Sequence, residues 1–349
     1  MRRRTWIIIG LIVTLMVAAI IVVPTVANYL DNETSTNNVI QSNWYNFSWL
    51  YRKPITINNT GTALTNYQIQ LNLDLSSLIP SHMLATGNDI IFTASDGQTV
   101  LNYWIESIST PSAAVIWVKI PSIPVSSPAV TIYMYYGNSG AAAASSGDNT
   151  FIFFDDFETY PFTKWTASTG PNTGSMTQIS SSPAPDHGSY CAKITRTGGT
   201  FTETATFTSS PTVAIVEYSA GAAQTNQTWQ MQVLSSTSAI GPSLEFTTAA
   251  HLRYNNNLQF STDYVYTATT WYHFKEDNVS ASAGNYYLYI NGSVVRPTAT
   301  AYTPFTATIG NINKIMFSSG NNSSMYVDII KVRVYAATLP TLGTVGAEE

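Results

Sequence analysis

Carboxylates and aromatic rings are the side chains of this 349-residue chain whose types and spacing could do chemistry. Near the end of the sequence, alternation places Asp328 on one strand face with Ile330, Val332 and Val334. Before the midpoint of the chain, the same alternation places Asp155 with Phe153 and Phe157. A carboxylate turned toward an interior needs a partner. Calcium, which takes about six to eight oxygen ligands, would supply one, with Asp155, Asp156 and Asp328 as its donors. The alternative is that these aspartates accept hydrogen bonds from backbone or tyrosine groups. A second pair, Asp89 and Glu106, has the residue types of an acid and base for glycoside hydrolysis, which needs two carboxyl groups about 5 to 10 Å apart. The plainer reading is a sheet-edge ion pair of Arg52 with Glu106. His82, His187, His251 and His273 show no metal-ligand spacing. The sequence contains neither a nucleophile elbow nor a glycine-rich phosphate loop, so no catalytic residue and no enzyme activity is assigned.

Sugar recognition uses aromatic faces against the apolar faces of the ring and amides or hydroxyls for its polar edge. The chain has 21 Tyr and 8 Trp. Trp229, Tyr254 and Trp271 are the candidate ligand contacts; the competing role for aromatics of this kind is to fill a sheet core.

The elements that must position these groups are strands. Tyr67 to Leu75 alternates apolar and polar residues with a period of two. Asp96-Gly97 and Asn291-Gly292 are hairpin turns, because both dipeptides readily take positive φ. Ala114–Ile120 and Val130–Tyr136 are rich in β-branched and aromatic residues and read as central strands. Many short strands without a helical period indicate two-sheet sandwiches. The small-residue stretch 139–149 reads as a linker between sandwiches at 44–138 and 150–337, with 338–349 as a C-terminal tail.

The N-terminal residues set the location. Arg2, Arg3 and Arg4 precede an uncharged apolar run from Trp6 to Val23, extendable to Ala27, long enough as a helix to cross a bilayer. The run is longer than the apolar core of a removable signal peptide. A signal anchor, a cleaved peptide and a pilin-like assembly helix all remain open, and each sends the rest of the chain outside the cell. Residues 28–43 form a polar stalk. The expected architecture is therefore all-β, two jelly-roll sandwiches behind a single transmembrane helix at residues 1–27, with the membrane contacted through residues 6–27.

Composition fits that address. Charged residues make up 10% of the chain, against about 25% in ordinary soluble domains. Setting aside the three N-terminal arginines leaves 12 of the 15 Lys and Arg against 20 Asp and Glu, a net charge near −8. That balance and the lack of a basic patch exclude nucleic acid as a partner. The single cysteine, Cys191, removes any disulfide within the chain and reads as a buried small residue. Asn-x-Ser/Thr sequons begin at Asn32, Asn46, Asn58, Asn226, Asn278, Asn291, Asn321 and Asn322. Chance supplies about that many in so Asn-, Ser- and Thr-rich a chain, and all would permit glycosylation outside the cell.

Two resemblances follow from particular residues. Trp49–Ile57 (WLYRKPITI), Asp89–Thr93 with Asp96-Gly97, Tyr103–Glu106, Trp117–Pro121 and Ile132–Asn138 resemble, over about residues 44–138, a domain family of unknown function. That family recurs in bacterial and archaeal surface and secreted proteins, commonly beside concanavalin-like or laminin-G-like modules. The aspartate pair with Trp165, Asp186–Tyr190 (DHGSY), Trp271–Phe274, Tyr286–Gly292 and Tyr326–Ile330 resemble, over residues 151–337, the concanavalin-like, laminin-G-like jelly roll. This second resemblance implies adjacent first and last strands, bringing Asp155 or Asp156 close to Asp328, and a structural calcium. Hydrolases on that fold carry a Glu-x-Asp-x-x-Glu triplet, which this sequence lacks. The function expected is adhesion or binding of glycans or surface proteins. The alternative is a self-associating subunit of a surface layer or filament, with a carbohydrate-active enzyme third.

Overall fold

The computed structural model describes residues 43–109, 113–125, 129–168, 173–199, 201–255, 259–280, 286–296, 311–319 and 322–349. The apolar run expected to span a membrane, the stalk up to residue 42, Asn32 and Asn321 lie outside the described residues. Among the described residues no helix is long and apolar enough to cross a membrane.

The chain forms two all-β sandwiches. The first contains β1 (Tyr51–Asn58), β2 (Leu64–Asp74), β3 (Ile91–Thr93), β4 (Val100–Leu101), β5 (Tyr103–Ser109), β6 (Ala113–Ile123) and β7 (Val130–Tyr136). One turn of helix, α1 (Gly147–Thr150), capped by Ser146, leads onward. The second contains β8 (Phe153–Asp155), β9 (Trp165–Ala167), β10 (Thr173–Ile179), β11 (Cys191–Gly198), β12 (Phe201–Thr206), β13 (Val213–Ala222), β14 (Trp229–Ser235) and β15 (Ile240–Phe246). It continues with β16 (His251–Asn255), β17 (Gln259–Val265), β18 (Tyr272–Ser280), β19 (Tyr287–Ile290), β20 (Ser293–Arg296), β21 (Ile312–Ser319) and β22 (Ser323–Val334). A last strand, β23 (Thr341–Val345), follows.

In the first sandwich the sheet β23-β1-β7-β3-β4 faces β2-β6-β5. The period of two in β2 does what the sequence indicates: Tyr67, Ile69, Leu71 and Leu73 are all buried in this core. Asp96 and Gly97, with φ of +70° at the glycine, turn β3 into β4. In the second sandwich the sheet β10-β11-β22-β13-β18-β19-β20, with β8 added beside β22, packs on β17-β16-β15-β14-β21-β12-β9. Asn291 and Gly292, with φ of +49° and +75°, turn β19 into β20. The first and last strands of this sandwich are neighbours, since Asp155 pairs with Ile330.

Two boundaries differ from the expectation. Residues 338–349 are not a tail: β23 crosses back to the first sandwich and pairs with β1, matching Ile55 with Val345 and Ile57 with Leu342. Beyond it, Glu349 Oε2 accepts from Arg52 Nε at 2.7 Å and Glu348 Oε2 from the Tyr136 hydroxyl at 2.6 Å. Nor does 139–149 hang free. Ser146 N donates to Tyr103 O, and Ser145 Oγ accepts from Ile105 N. The chain thus passes twice between the sandwiches, and Trp104, Trp117, Phe151, Phe154 and Ile329 form a separate apolar cluster at the junction. Gln68 stitches it further, donating to Thr150 O and accepting from Val334 N.

Candidate functional site

The described surface has a groove of about 640 Å³ where the outer face of the eight-stranded sheet meets β6 of the first sandwich. Alternation builds its floor. Ala214, Val216, Tyr218, Ala220 and Ala222 of β13 fill the core, so Glu217 and Ser219 face outward. Register places His273 of β18 beside Ser219 and Lys331 of β22 beside Glu217.

A loop completes the floor. Asp328 Oδ2 accepts from His187 N at 2.9 Å, and Glu158 Oε1 accepts from Ser189 N and Tyr190 N at 2.7 and 2.8 Å. Trp271 Nε1 donates to Ala184 O at 2.8 Å. Gly188 sits at φ +66°, a backbone conformation that favours glycine. Held this way, the loop presents Asp186 and His187 to the groove. Ser219 Oγ donates to Asp186 Oδ2 at 2.6 Å and lies 3.0 Å from His273 Nδ1, which is itself 3.4 Å from Asp186 Oδ2. A hydroxyl has one proton. Ser219 therefore donates to one neighbour at a time, and which way the Ser219–His273 contact runs follows the imidazole tautomer.

One wall is a chain of ion pairs that joins the sandwiches. Glu106 of β5 accepts from Trp117 Nε1 at 2.7 Å and from Lys331 Nζ at 2.8 Å. Lys331 Nζ lies 3.7 Å from Glu217 Oε2, and Arg333 donates through Nε and Nη2 to Glu217 Oε1 at 3.1 and 2.7 Å. His187 Nε2 donates to Glu106 O at 2.9 Å. Burial works to raise the Glu217 carboxyl, but the Arg333 guanidinium and Lys331 ammonium outweigh it and hold the group below its ordinary value. The opposite wall is Lys275, whose Nζ lies 3.2 Å from Asp277 Oδ2 and 4.0 Å from the Tyr289 ring centre.

The structure does not bring the expected metal ligands together. Met325 and Val327 lie in the core, and so do Ile330 and Val332, so the side-chain parity of β22 inverts between them. The cause is a bulge at Asp328–Ile329, where Ile329 has φ of +38° and the register with β13 shifts. Asp328 therefore faces outward, opposite to Ile330, and Asp155, in register with Ile330, faces the core. Each oxygen of both carboxyls accepts one N–H donor: Asp328 from His187 N and Ile329 N, Asp155 from Phe157 N and Trp165 Nε1. Burial pushes Asp328 up to about 8 and raises Asp155 as well. Asp156, on a neighbouring turn, accepts from Glu158 N. Asp155 and Asp328 thus present their carboxyls to opposite faces of the sheet. Among the described residues no group of three His, Cys, Asp or Glu is arranged to hold a metal ion.

The aromatic candidates also fall elsewhere. Trp229 is 1% exposed and pairs in register with Phe246, and Tyr254 is buried against the same core. Both are structural. Trp271 is half-buried beside Tyr326 and acts by tying down the loop that carries Asp186. Asp89 and Glu106 make no pair: buried Asp89 accepts from Leu84 N and Gly137 N. The expected Arg52–Glu106 bridge is replaced by Arg52–Glu349 and Lys331–Glu106. Cys191 is free and buried. Of the described sequons, Asn46, Asn58, Asn226 and Asn322 are exposed and Asn278 is half-buried. Asn291 is committed, accepting from His273 N and donating to the Tyr264 hydroxyl.

The groove residues Glu217, Ser219 and Lys275 were missed as site residues, although alternation in Val213–Ala222 and Tyr272–Ser280 already turns them outward. Asp186, His187 and His273 lie within Asp186–Tyr190 and Trp271–Phe274, segments whose pattern speaks to the fold and not to this site.

Comparison with known proteins finds one family-model match over part of the chain. Residues 86–168 match the family model of a domain of unknown function, DUF2341. This segment overlaps the expected 44–138 at residues 86–138 and runs on through the junction to Trp165, so the junction cluster's Trp104, Trp117, Phe151 and Phe154 all belong to it. Curated proteins contain no match. Among solved structures, a sialidase is similar at a TM-score of 0.43 and 14% identity, over 65% of this chain and 20% of the sialidase. The chain thus corresponds to one fifth of that protein. Carbohydrate-binding module CBM66 from Bacillus subtilis is similar at a TM-score of 0.33 and 9% identity, over 50% of this chain and 98% of the module. A carbohydrate esterase from Shiga toxin-encoding bacteriophage phi24B reaches 0.40 and 12%, over 54% and 99%.

Proposed function

We propose that this protein binds glycans outside the cell, in adhesion, and is held to the membrane through residues 6–27. The observation that carries the reading is the groove itself. There a hydroxyl and an imidazole of the sheet, Ser219 and His273, meet the carboxylate of the loop residue Asp186 beside the ammonium of Lys275 and the ring of Tyr289. Sugars present adjacent donors and acceptors, and a groove of this size with convergent polar groups suits two or three sugar units. The role in this reading is binding without turnover. The membrane anchor rests on the uncharged run Trp6–Val23 behind three arginines.

A second reading, a self-associating surface-layer or filament subunit, draws support from β23. It is an edge strand, largely exposed and paired on one side only. The test of both is a glycan array with the full chain in mild detergent, with calcium and with a chelator, alongside light scattering. Saturable binding by a monomer supports the glycan role. An empty array together with concentration-dependent polymers refutes it in favour of assembly.

A further inference from the structure

The charges lining the groove are already matched. Glu106, Asp186 and Glu217 supply three carboxylates, and Lys275, Lys331 and Arg333 three fixed cations. Each cation has a carboxylate within reach: Lys331 has Glu106 at 2.8 Å, Arg333 has Glu217 at 2.7 Å, and Lys275 has Asp277 at 3.2 Å. Lys331 and Arg333 are further spent on the Trp117 ring, whose centre lies 5.1 Å from each. An anionic sugar entering the groove would lose hydration and meet no unpaired cation, while the carboxylates opposed it. A neutral sugar faces no such cost. Asp186 can accept a hydroxyl proton, and His273, whose side chain is 61% exposed, can meet the next hydroxyl.

We infer that the groove selects neutral glycans, built of hexoses or N-acetylhexosamines, over uronate-, sialate- or sulfate-bearing ones. This rests on the glycan-binding reading above. Recognition then runs through hydrogen bonds between uncharged hydroxyls and a pre-paired floor, so affinity is nearly independent of salt.

The experiment titrates the full chain with a neutral oligosaccharide and with its uronic-acid counterpart of equal length, at 25 and 500 mM NaCl. Native protein binds the neutral sugar at least tenfold more tightly, with less than a twofold change between the two salts. Glu106→Gln keeps an oxygen for Trp117 Nε1 but leaves Lys331 its more distant partner, so this variant gains affinity for the acidic sugar, and that gain fades at high salt. Circular dichroism and the thermal midpoint establish that the variant is folded. Glu217→Gln, which frees Arg333 instead, gives the same kind of gain and serves if the first variant does not fold. Tighter binding of the acidic sugar by native protein overturns the inference and leaves glycan binding standing. Binding of neither sugar, with an empty array, overturns both.

Discussion

Glu276 is a carboxyl sealed inside the second sandwich, and replacing it with glutamine should make the protein more stable at neutral pH. The residue is 1% exposed and faces inward from β18, with Oε2 buried and unpartnered. Burial pushes its carboxyl up to about 8 from an ordinary 4.5, against a smaller downward pull from Tyr218. Below pH 4.5 the group is protonated in both folded and unfolded chains, and its contribution to stability is intact. Between 4.5 and about 8 the unfolded carboxyl ionises while the folded one stays neutral, so that stability is progressively lost as pH rises. Each tenfold imbalance is worth about 1.4 kcal/mol, which puts the loss at pH 7 at about 3 kcal/mol relative to pH 4. Glu276→Gln keeps the shape and the neutral charge and abolishes the ionisation. Chemical denaturation of both proteins at pH 4 and pH 7 should show little difference at the lower pH and an advantage of about 3 kcal/mol for the variant at the higher. Equal differences at the two pH values would refute the reasoning, because they would mean that the carboxyl titrates alike in folded and unfolded chains.

Three further outcomes are expected. Glu217→Ala strands the Arg333 guanidinium, 9% exposed, and weakens the Lys331 contact; urea unfolding should show a loss of about 3 kcal/mol. Removing residues 341–349 strips β23 from the edge of the first sandwich and takes the Glu349 carboxylate from Arg52. Hydrogen exchange should then accelerate along Tyr51–Asn58 while the core of the second sandwich stays protected. Calcium added to chelator-treated protein should leave the thermal midpoint unchanged, since Asp155 and Asp328 lie on opposite faces of the sheet with their oxygens already engaged.

The strands were legible because alternation is local. Tyr67 to Leu73 and the two Gly-containing turns needed nothing beyond their own residues. The same rule was available at Trp229, Met231 and Val233, which alternate with Gln230 and Gln232 and so mark Trp229 as core rather than ligand contact. Asp328 shows where local pattern stops being sufficient. One extra residue at Ile329 inverts the faces of β22, and the run of valines and isoleucines there reads equally well in either parity. Long-range returns were hidden for a different reason. Thr341–Val345 is short and without clear alternation, and only its pairing with β1 makes it a strand. The groove depends on such placement, since Glu106 and Lys331 meet across 225 positions of sequence.

The central claim is that glycans bind in the groove between the sandwiches. Its most direct test is a titration of the strongest glycan from the array against native protein and against Asp186→Ala, with folding checked by the thermal midpoint. Asp186 offers the groove a carboxylate oxygen and orients Ser219, so the variant should lose at least tenfold in affinity while its midpoint moves little. Unchanged affinity in the folded variant would contradict the account and place the binding surface elsewhere on the molecule.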